Sequence, residues 1–125
     1  MEAARPSPDC YIGVDLGTSG CRAIAVDAAG RITAEARVDL PCSRHPYPGA
    51  SEQSPEDWWQ AVVEVLSDLD APQAGRVRAL SVDATSSTLL LCDRQGDPCS
   101  PALMYDDRRA LAEADKIARL APLDS

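Results

Sequence analysis

Apolar residues in the first forty positions fall into three short runs, which predict three strands. The first run covers residues 10–16 and the second covers residues 21–26. The third, residues 32–40, alternates strictly between apolar and polar side chains, as is typical of a strand with one buried face. Between the last two runs, Asp27-Ala28-Ala29-Gly30 has the composition of a tight turn, with glycine at the position that needs a positive φ. These features predict an antiparallel meander of three strands.

A helix is predicted after a loop that contains three prolines. Ser54 is the expected N-cap, Pro55 suits the first helical position, and Asp57 completes a pattern similar to a capping box. The helix is expected to end near Leu69. Its apolar residues recur at helical spacing and predict a face that packs inward: Trp58, Val62, Val65 and Leu69.

The second half of the chain predicts shorter elements. Residues 77–83 and 88–92 have the apolar character of two further strands, and residues 101–105 are expected to be extended. A last helix is expected to begin at Asp106 or Asp107 as its cap and to stop at Pro122. Its predicted apolar stripe consists of Leu111, Ala114, Ile117, Ala118 and Ala121.

Charge and cysteine usage narrow the function classes. The 125 residues include 20 acidic and 12 basic side chains, for a net charge of −8. An acidic chain without a basic cluster argues against nucleic-acid and anionic-membrane partners. No apolar run approaches the roughly 20 residues that span a bilayer. Five cysteines without a Cys-x-x-Cys pair indicate reduced thiols in a cytoplasmic protein, with Cys10, Cys21 and Cys92 expected to be buried. Residues 1–9 are expected to form a flexible tail.

The sharpest chemical signal is Asp15-Leu16-Gly17-Thr18-Ser19-Gly20, between the first two predicted strands. Two glycines allow close backbone approach, and the hydroxyls and successive N–H groups can donate to phosphate oxygens. An acidic residue at a strand end can hold Mg²⁺ through its water shell. The alternative is an ordinary glycine-rich hairpin whose Asp caps its own turn.

Other polar residues each admit two interpretations. The segment Thr85-Ser86-Ser87 is either a binding loop or a polar turn between strands, and Asp83 either orients a site or accepts backbone N–H groups. Asp106 and Asp107 are either paired carboxylates for acid–base chemistry or helix caps, and capping is favoured for at least one of them. The pair Trp58-Trp59 is either a sugar-stacking surface or part of the core, and its spacing with Val62 favours the core.

Four ordered blocks resemble the FGGY carbohydrate kinase family, and the resemblance covers nearly all of residues 10–120. They are Tyr11-Ile12-Gly13-Val14-Asp15-Leu16-Gly17-Thr18-Ser19-Gly20, then residues 51–59, residues 78–88 and residues 101–109. The resemblance implies a partial α/β domain of the actin-like ATPase (ribonuclease H-like) fold, with the three-stranded antiparallel meander followed by βαβ-type units. It also implies an ATP-dependent kinase that phosphorylates a sugar and uses ATP and Mg²⁺.

Site residues follow from the same resemblance, by position. Asp15 would hold Mg²⁺ through water, and the phosphate loop would consist of Gly17, Thr18, Ser19 and Gly20. Sugar contacts would come from Ser86, Ser87, Asp83 and Asp106. Xylulokinases have a Met-His pair and glycerol kinases an Arg-Glu pair where this chain has Ser86-Ser87, which resembles the D-ribulose kinase branch. A pentulose, ribulose or xylulose, is therefore the expected substrate.

The resemblance places the general base beyond Ser125, so no catalytic residue is expected within the chain. Residues 10–125 are expected to be the N-terminal part of the first kinase domain, without the second domain. Three interpretations stay open: an incomplete kinase that is inactive alone, one subunit of a split kinase, and a non-catalytic actin-like remnant that serves as a binding or interaction module. The expected partners are a sugar and either the remainder of a kinase or further copies of the chain.

Overall fold

The structure is a computed structural model and describes residues 9–69 and 76–121. The described part falls into two compact units, one of residues 9–42, 56–69 and 76–85, and one of residues 43–55 and 86–121. The elements in chain order are β1 (Asp9–Leu16), β2 (Gly20–Asp27), β3 (Ile32–Asp39), β4 (Glu52–Gln53), α1 (Pro55–Asp68), β5 (Arg76–Ala84), β6 (Ala102–Leu103) and α2 (Leu111–Leu120).

The first unit is built on a four-stranded mixed sheet in the order β3-β2-β1-β5. The strands β1, β2 and β3 pair antiparallel, so the predicted meander is confirmed. The fourth strand, β5, pairs parallel with β1, and α1 lies between the meander and β5 along the chain. Parallel neighbours need a long crossover connection, which the helix supplies. The carboxyl ends of β1 and β5 therefore lie side by side.

One face of this sheet packs against α1. The buried cluster contains Cys10, Val14, Cys21, Ala23 and Ala25 from the sheet and Ala61, Val65 and Leu69 from the helical segment. The predicted inward face of α1 is confirmed, because Val65 and Leu69 are buried and Val62 packs against the cluster. Trp58 is half-buried. The assignment of Trp59 to the core is wrong, since its side chain is 64% exposed. Successive residues of a helix are about 100° apart around its axis, so Trp59 lies toward solvent although Trp58 is half-buried.

Two turns of the same design connect antiparallel segments. Gly30 has a φ of 78°, as its turn composition predicts, and Gly96, which follows Asp93 at the same spacing, has a φ of 91°. In the first turn the Asp27 carboxylate accepts the backbone N–H groups of residues 29 and 31, and in the second Asp93 accepts those of residues 95 and 97. The hydrogen bond from the Arg31 N–H is the main cause that lowers the pKa of Asp27.

The predicted strand at 88–92 is wrong. This segment makes only isolated bridges, from Leu89 to Leu103 and from Cys92 to Pro98. Proline has no N–H to donate, so a ladder that reaches Pro98 cannot continue as regular pairing. Cys92 is consequently exposed, contrary to the prediction, whereas Cys10 and Cys21 are buried as expected. All five cysteines are free thiols.

The last helix begins later than predicted. Its first residue is Leu111, and its N-cap is Ala110, which makes no side-chain capping hydrogen bond. The expected cap at Asp106 or Asp107 is therefore wrong. No residue of α2 is buried, so its predicted apolar stripe is open to solvent. Pro122, the expected stop, lies outside the described residues.

The predicted flexible tail falls almost wholly outside the described residues, which start at Asp9. Asp9 itself opens β1. Neither of the two described helices is long and apolar enough to cross a membrane.

Candidate functional site

The glycine-rich loop predicted to bind phosphate connects β1 to β2. The Gly17 N–H donates to the Gly20 carbonyl at 2.9 Å, which closes the turn, and the Leu40 N–H donates to the Ser19 carbonyl at 3.0 Å. A Cβ atom on Gly20 would lie 2.8 Å from the backbone oxygen of Val38, closer than real Cβ atoms approach. Only glycine fits there, because the loop is pressed against β3.

Asp15 lies at the end of β1, on the sheet face opposite α1. Its carboxylate is 3.6 Å from the Arg22 guanidinium, and the two side chains are 53% and 64% exposed. The register pairs Asp15 with Arg22 on one side and with Asp83 on the other. These residues line an open groove of about 320 Å³, together with Gly13, Val14, Ile24 and Ser81. Asp15 and Asp83 thus form two carboxylates at neighbouring strand ends, with one adjacent cation.

Arg22 was missed by the sequence reasoning. The signal that could have found it is the hairpin itself, because an antiparallel turn at residues 17–20 sets Arg22 opposite Asp15 and residues directly opposite share a face. The neighbouring residue, Cys21, points the other way into the core. Burial raises the pKa of the Cys21 thiol, and the nearby Asp15 charge adds to the effect. Cys21 is therefore a core thiol and not part of the groove.

The structure brings the glycine-rich loop to the end of β5. The hydroxyls of Thr18 and Thr85 lie 3.4 Å apart, and the Thr85 N–H donates to the Leu16 carbonyl at 3.2 Å. The parallel ladder between β1 and β5 therefore continues into both loops. Two segments that the sequence separates by more than sixty residues meet at one edge of the sheet.

Ser86 and Ser87 follow Thr85 directly along the chain, and both are exposed. Ser87 has a φ of 59°, the left-handed region that residues other than glycine rarely adopt. Such a conformation costs on the order of 1 kcal/mol and persists where the surrounding structure imposes it. The Asp83 carboxylate accepts the N–H of Ala84 at 2.9 Å, in agreement with one of its two interpretations.

The structure gives Asp106 and Asp107 different surroundings. The Asp107 carboxylate is bound within the protein: it accepts a hydrogen bond from the Ser51 N–H at 2.9 Å and forms a bidentate ion pair with Arg109. These hydrogen bonds, above all those from Arg109, hold the pKa of Asp107 well below its usual range. Asp106 is exposed. The two carboxylates therefore do not act as a pair, and Asp106 is the one open to a ligand.

Glu52 and Tyr47 complete the surroundings of Arg109 and were also missed. The Arg109 Nη1 atom lies 2.8 Å from Glu52 Oε1 and 2.6 Å from the Tyr47 hydroxyl. The guanidinium carbon lies 5.3 Å from the centre of the Tyr47 ring, within range of a cation–π contact. No local pattern predicts these contacts, because they join segments more than fifty residues apart in the sequence.

The lowered pKa of Asp107 predicts an acid-sensitive unit. A carboxyl whose pKa is depressed by folding stabilises the folded state above its unfolded pKa, near 3.9, and loses that contribution as pH falls through the folded pKa. We expect wild type to resist denaturant better than Asp107→Asn at pH 7, with the difference shrinking steadily below about pH 4. Urea unfolding at a series of pH values measures this. A difference that stays constant down to pH 2 would contradict the role of the Asp107 charge.

The donors at the loop fit a magnesium ion held through water. Mg²⁺ binds oxygen ligands and usually retains several waters, so one or two accessible carboxylates suffice. Asp15 and Asp83 are such carboxylates, and the Asp15 side chain is 53% exposed. Within the described residues, no group of three or more His, Cys, Asp and Glu side chains lies close enough to ligate a metal directly. An all-protein metal cage is therefore not what this groove offers.

Comparison with known proteins identifies the family. Residues 10–124 match the N-terminal domain of the FGGY family of carbohydrate kinases. The chain is 35% identical over 113 residues to the xylulose kinase of Escherichia coli, covering 90% of this chain and 23% of the relative. It is 35% identical over 107 residues to the glycerol kinase of Gloeobacter violaceus, covering 85% and 21%.

Comparison with solved structures supports the same family. The xylulose kinase of Rhodospirillum rubrum superposes with a TM-score of 0.82 at 25% identity, over 90% of this chain and 24% of that one. The chain thus spans about a quarter of the length of the relatives it matches. Its mixed sheet with α1 on one face is a partial α/β domain of the actin-like ATPase fold. Sequence and structure together place the chain in the FGGY family of carbohydrate kinases.

Proposed function

We propose that this chain is the N-terminal part of an ATP-dependent kinase that transfers the γ-phosphate of ATP to a hydroxyl of a pentulose. The observation that carries the proposal is the contact between Thr18 and Thr85, whose hydroxyls lie 3.4 Å apart. It joins a loop suited to phosphate to the segment that leads into Ser86 and Ser87. Ligands of open α/β sheets bind outside the carboxyl ends of parallel strands, and this edge is such a place.

The phosphate side of the reaction is assigned to the loop between β1 and β2. Gly17, Thr18, Ser19 and Gly20 offer backbone N–H groups and two hydroxyls to phosphate oxygens. Asp15 would hold Mg²⁺ through water, and the bound ion would neutralise phosphate charge. Arg22, 3.6 Å from Asp15, provides a protein cation in the same groove. Because phosphoryl transfer depends mainly on positioning and charge stabilisation, these residues can contribute without acting as acids or bases.

The sugar side is assigned to Asp83, Ser86, Ser87 and Asp106. Exposed hydroxyls and carboxylates suit a polyhydroxylated, uncharged substrate, since serine hydroxyls both donate and accept hydrogen bonds and carboxylates accept them from sugar hydroxyls. Relatives named as xylulose kinases, in Escherichia coli and Klebsiella pneumoniae, support a pentulose, whereas relatives named as glycerol kinases support a smaller polyol. The small Ser86-Ser87 pair favours the pentulose. The general base is assigned to the kinase outside these residues.

The net charge and the free thiols of the chain bear on its partners and on its cellular compartment. A net charge of −8 disfavours nucleic acid and anionic membranes as partners. Five free cysteines are typical of a reducing compartment. We therefore assign the kinase to the cytoplasm, with the sugar as its principal partner.

A panel of acceptors tests the substrate class. The complete kinase that contains these residues would be supplied with ATP, Mg²⁺ and, in turn, pentuloses, hexuloses and polyols, and ADP release would be measured. We expect the highest kcat/KM for a pentulose. A clear preference for glycerol would overturn the pentulose assignment but keep the kinase. Equal ADP release with and without every acceptor would overturn the kinase itself.

Two serine variants test the sugar contacts. Each hydrogen bond to an uncharged sugar contributes about 0.5–1.5 kcal/mol, which corresponds to about a 2- to 12-fold change in affinity. Ser86→Ala and Ser87→Ala should therefore raise the KM for the pentulose within that range and leave the KM for ATP unchanged. Ser67→Ala is the matched control, because Ser67 is exposed on α1 and donates only to the Val63 carbonyl. An unchanged sugar KM in both variants would contradict the assignment.

A further inference from the structure

The second unit contains a charge cluster, the Arg109 cluster, defined by Arg109, Asp107, Glu52 and Tyr47. Arg109 directs its Nε and Nη2 atoms to the Asp107 carboxylate at 2.6–3.0 Å, and its Nη1 atom to Glu52 and Tyr47 at 2.8 and 2.6 Å. The side chains of Arg109, Asp107 and Glu52 are only 27%, 9% and 16% exposed. A single guanidinium thus joins the loop before β4, β4 itself and the segment after β6.

The cluster holds one end of a tight turn through Asp107, and the backbone of Ser51 holds the other end. The Asp107 N–H donates to the Met104 carbonyl at 2.9 Å, which makes Tyr105 and Asp106 the two central residues of the turn. The Met104 N–H donates to the Ser51 carbonyl, and the Asp107 carboxylate accepts the Ser51 N–H in return. The following N–H, of Arg108, donates to the Gly49 carbonyl at 2.8 Å. The turn is therefore fastened to the chain segment at residues 49–52.

Asp106 depends on this turn for its position. Among the residues that the structure describes, none makes a hydrogen bond or ion pair with the Asp106 carboxylate. Its place is set by the backbone of the turn alone, so any loosening of the turn displaces the carboxylate. The Asp107 carboxylate, whose orientation the fork of Arg109 fixes, adds a side-chain hydrogen bond to the backbone bonds that hold this turn in place.

We propose that Arg109 is a positioning residue for the sugar: it acts through Asp107 and the turn to hold Asp106 in its binding position. This inference rests on the proposed function, in which Asp106 contacts the sugar. The geometry of the fork is essential, because five N–H donors in one plane serve three acceptor groups at once. Lysine keeps the charge but lacks this planar fork, so Arg109→Lys should not restore the position of the turn.

The test is a comparison of KM values in the complete kinase. Contacts that share one network are coupled by about 0.5–3 kcal/mol, so Arg109→Lys should raise the KM for the sugar by roughly 2- to 150-fold, with kcat and the KM for ATP unchanged. Arg108→Lys is the matched control, because Arg108 is exposed and contributes a backbone hydrogen bond to the turn. Tyr47→Phe is a milder variant that keeps the ring but removes one partner of Nη1, and it should shift the sugar KM in the same direction.

Two further measurements separate positioning from plain stabilisation. If Arg109 acts through Asp106, the effects of Arg109→Lys and Asp106→Asn on the sugar KM should not add in the double variant. Amide hydrogen exchange at Asp107 and Arg108 should also become faster in Arg109→Lys. A lower melting temperature with both KM values unchanged, or fully additive effects, would overturn the positioning role.

Failure of this inference is distinguishable from failure of the proposed function. Wild type without sugar-dependent turnover would refute the kinase assignment and, with it, this inference. Wild type with turnover, but with a sugar KM that neither Arg109→Lys nor Tyr47→Phe changes, would refute the positioning role alone.

Discussion

Replacing Asp15 with asparagine in the complete kinase is expected to lower kcat by roughly 10²–10³-fold, the usual cost of removing one preorganised electrostatic contact to a developing charge. Asparagine has nearly the same shape but no charge to attract hydrated Mg²⁺. The fold should survive, because the ion pair of Asp15 with Arg22 is exposed on both sides, and such pairs contribute at most about 1 kcal/mol. Steady-state kinetics over a Mg²⁺ titration measures the effect.

The matched control is Asp9→Asn. Asp9 lies at the other end of the same strand and forms a similar exposed pair with Arg78, at 3.8 Å. This variant should keep the kcat and Mg²⁺ dependence of wild type. If Asp15→Asn also kept both, the carboxylate would have no part in positioning the metal, and the assignment of the loop would lose its main support.

The second large effect concerns the 125 residues alone, which are expected to phosphorylate no sugar. Under the proposed function the general base lies outside these residues, and its absence would cost about 10²–10⁴-fold, to which the absence of domain closure would add. A coupled ADP-release assay on the purified chain, with ATP, Mg²⁺ and the acceptor panel, measures this. Sugar-dependent turnover above a control without sugar would contradict the expectation, and would imply that Asp83 or Asp106 can serve as the base.

The same chain is expected to self-associate. Val77, Leu80 and Val82 of β5 pair in register with Cys10, Ile12 and Val14 of β1, so they share the sheet face on which α1 lies. Cys10 and Val14 are buried there, but the three β5 side chains are 48–57% exposed. In the part of the chain that the structure describes, β5 is an edge strand of this sheet, and an apolar strip beside such an edge favours association. Sedimentation analysis over a range of concentrations should show oligomers, and a strict monomer at all concentrations would contradict this.

The parts of the fold that the sequence predicts are those with a strong local period. The alternation in residues 32–40 and the helical spacing from Val62 to Leu69 identified β3 and α1 correctly, because each element packs a single face against the core cluster. The segment at 88–92 is apolar as well, but it makes only two isolated bridges, from Leu89 to Leu103 and from Cys92 to Pro98. Short apolar runs cannot show whether a partner strand exists.

The residues of the candidate site likewise divide into those that a local sequence pattern predicts and those that it does not. The loop at residues 17–20 was found because glycines and hydroxyls mark it locally. Arg22 and the Arg109 cluster were missed, because their partners are set by strand register and by contacts across more than fifty residues. Asp107 shows the consequence: from the sequence it is either a helix cap or one of two paired carboxylates, whereas in the structure its carboxylate accepts hydrogen bonds from the Ser51 N–H and from Arg109. The preference of aspartate for helix caps is weaker than such a charge-assisted hydrogen bond, so it does not decide which groups the Asp107 carboxylate binds.

Direct transfer of phosphate is the most direct test of the central claim. The complete kinase would be incubated with ATP labelled in its γ-phosphate, Mg²⁺ and a pentulose, and the products would be separated. We predict that the label appears in a sugar phosphate, with one sugar phosphate formed for each ADP released. Label that appears only as inorganic phosphate, or that stays in ATP while the protein is folded, would contradict the claim.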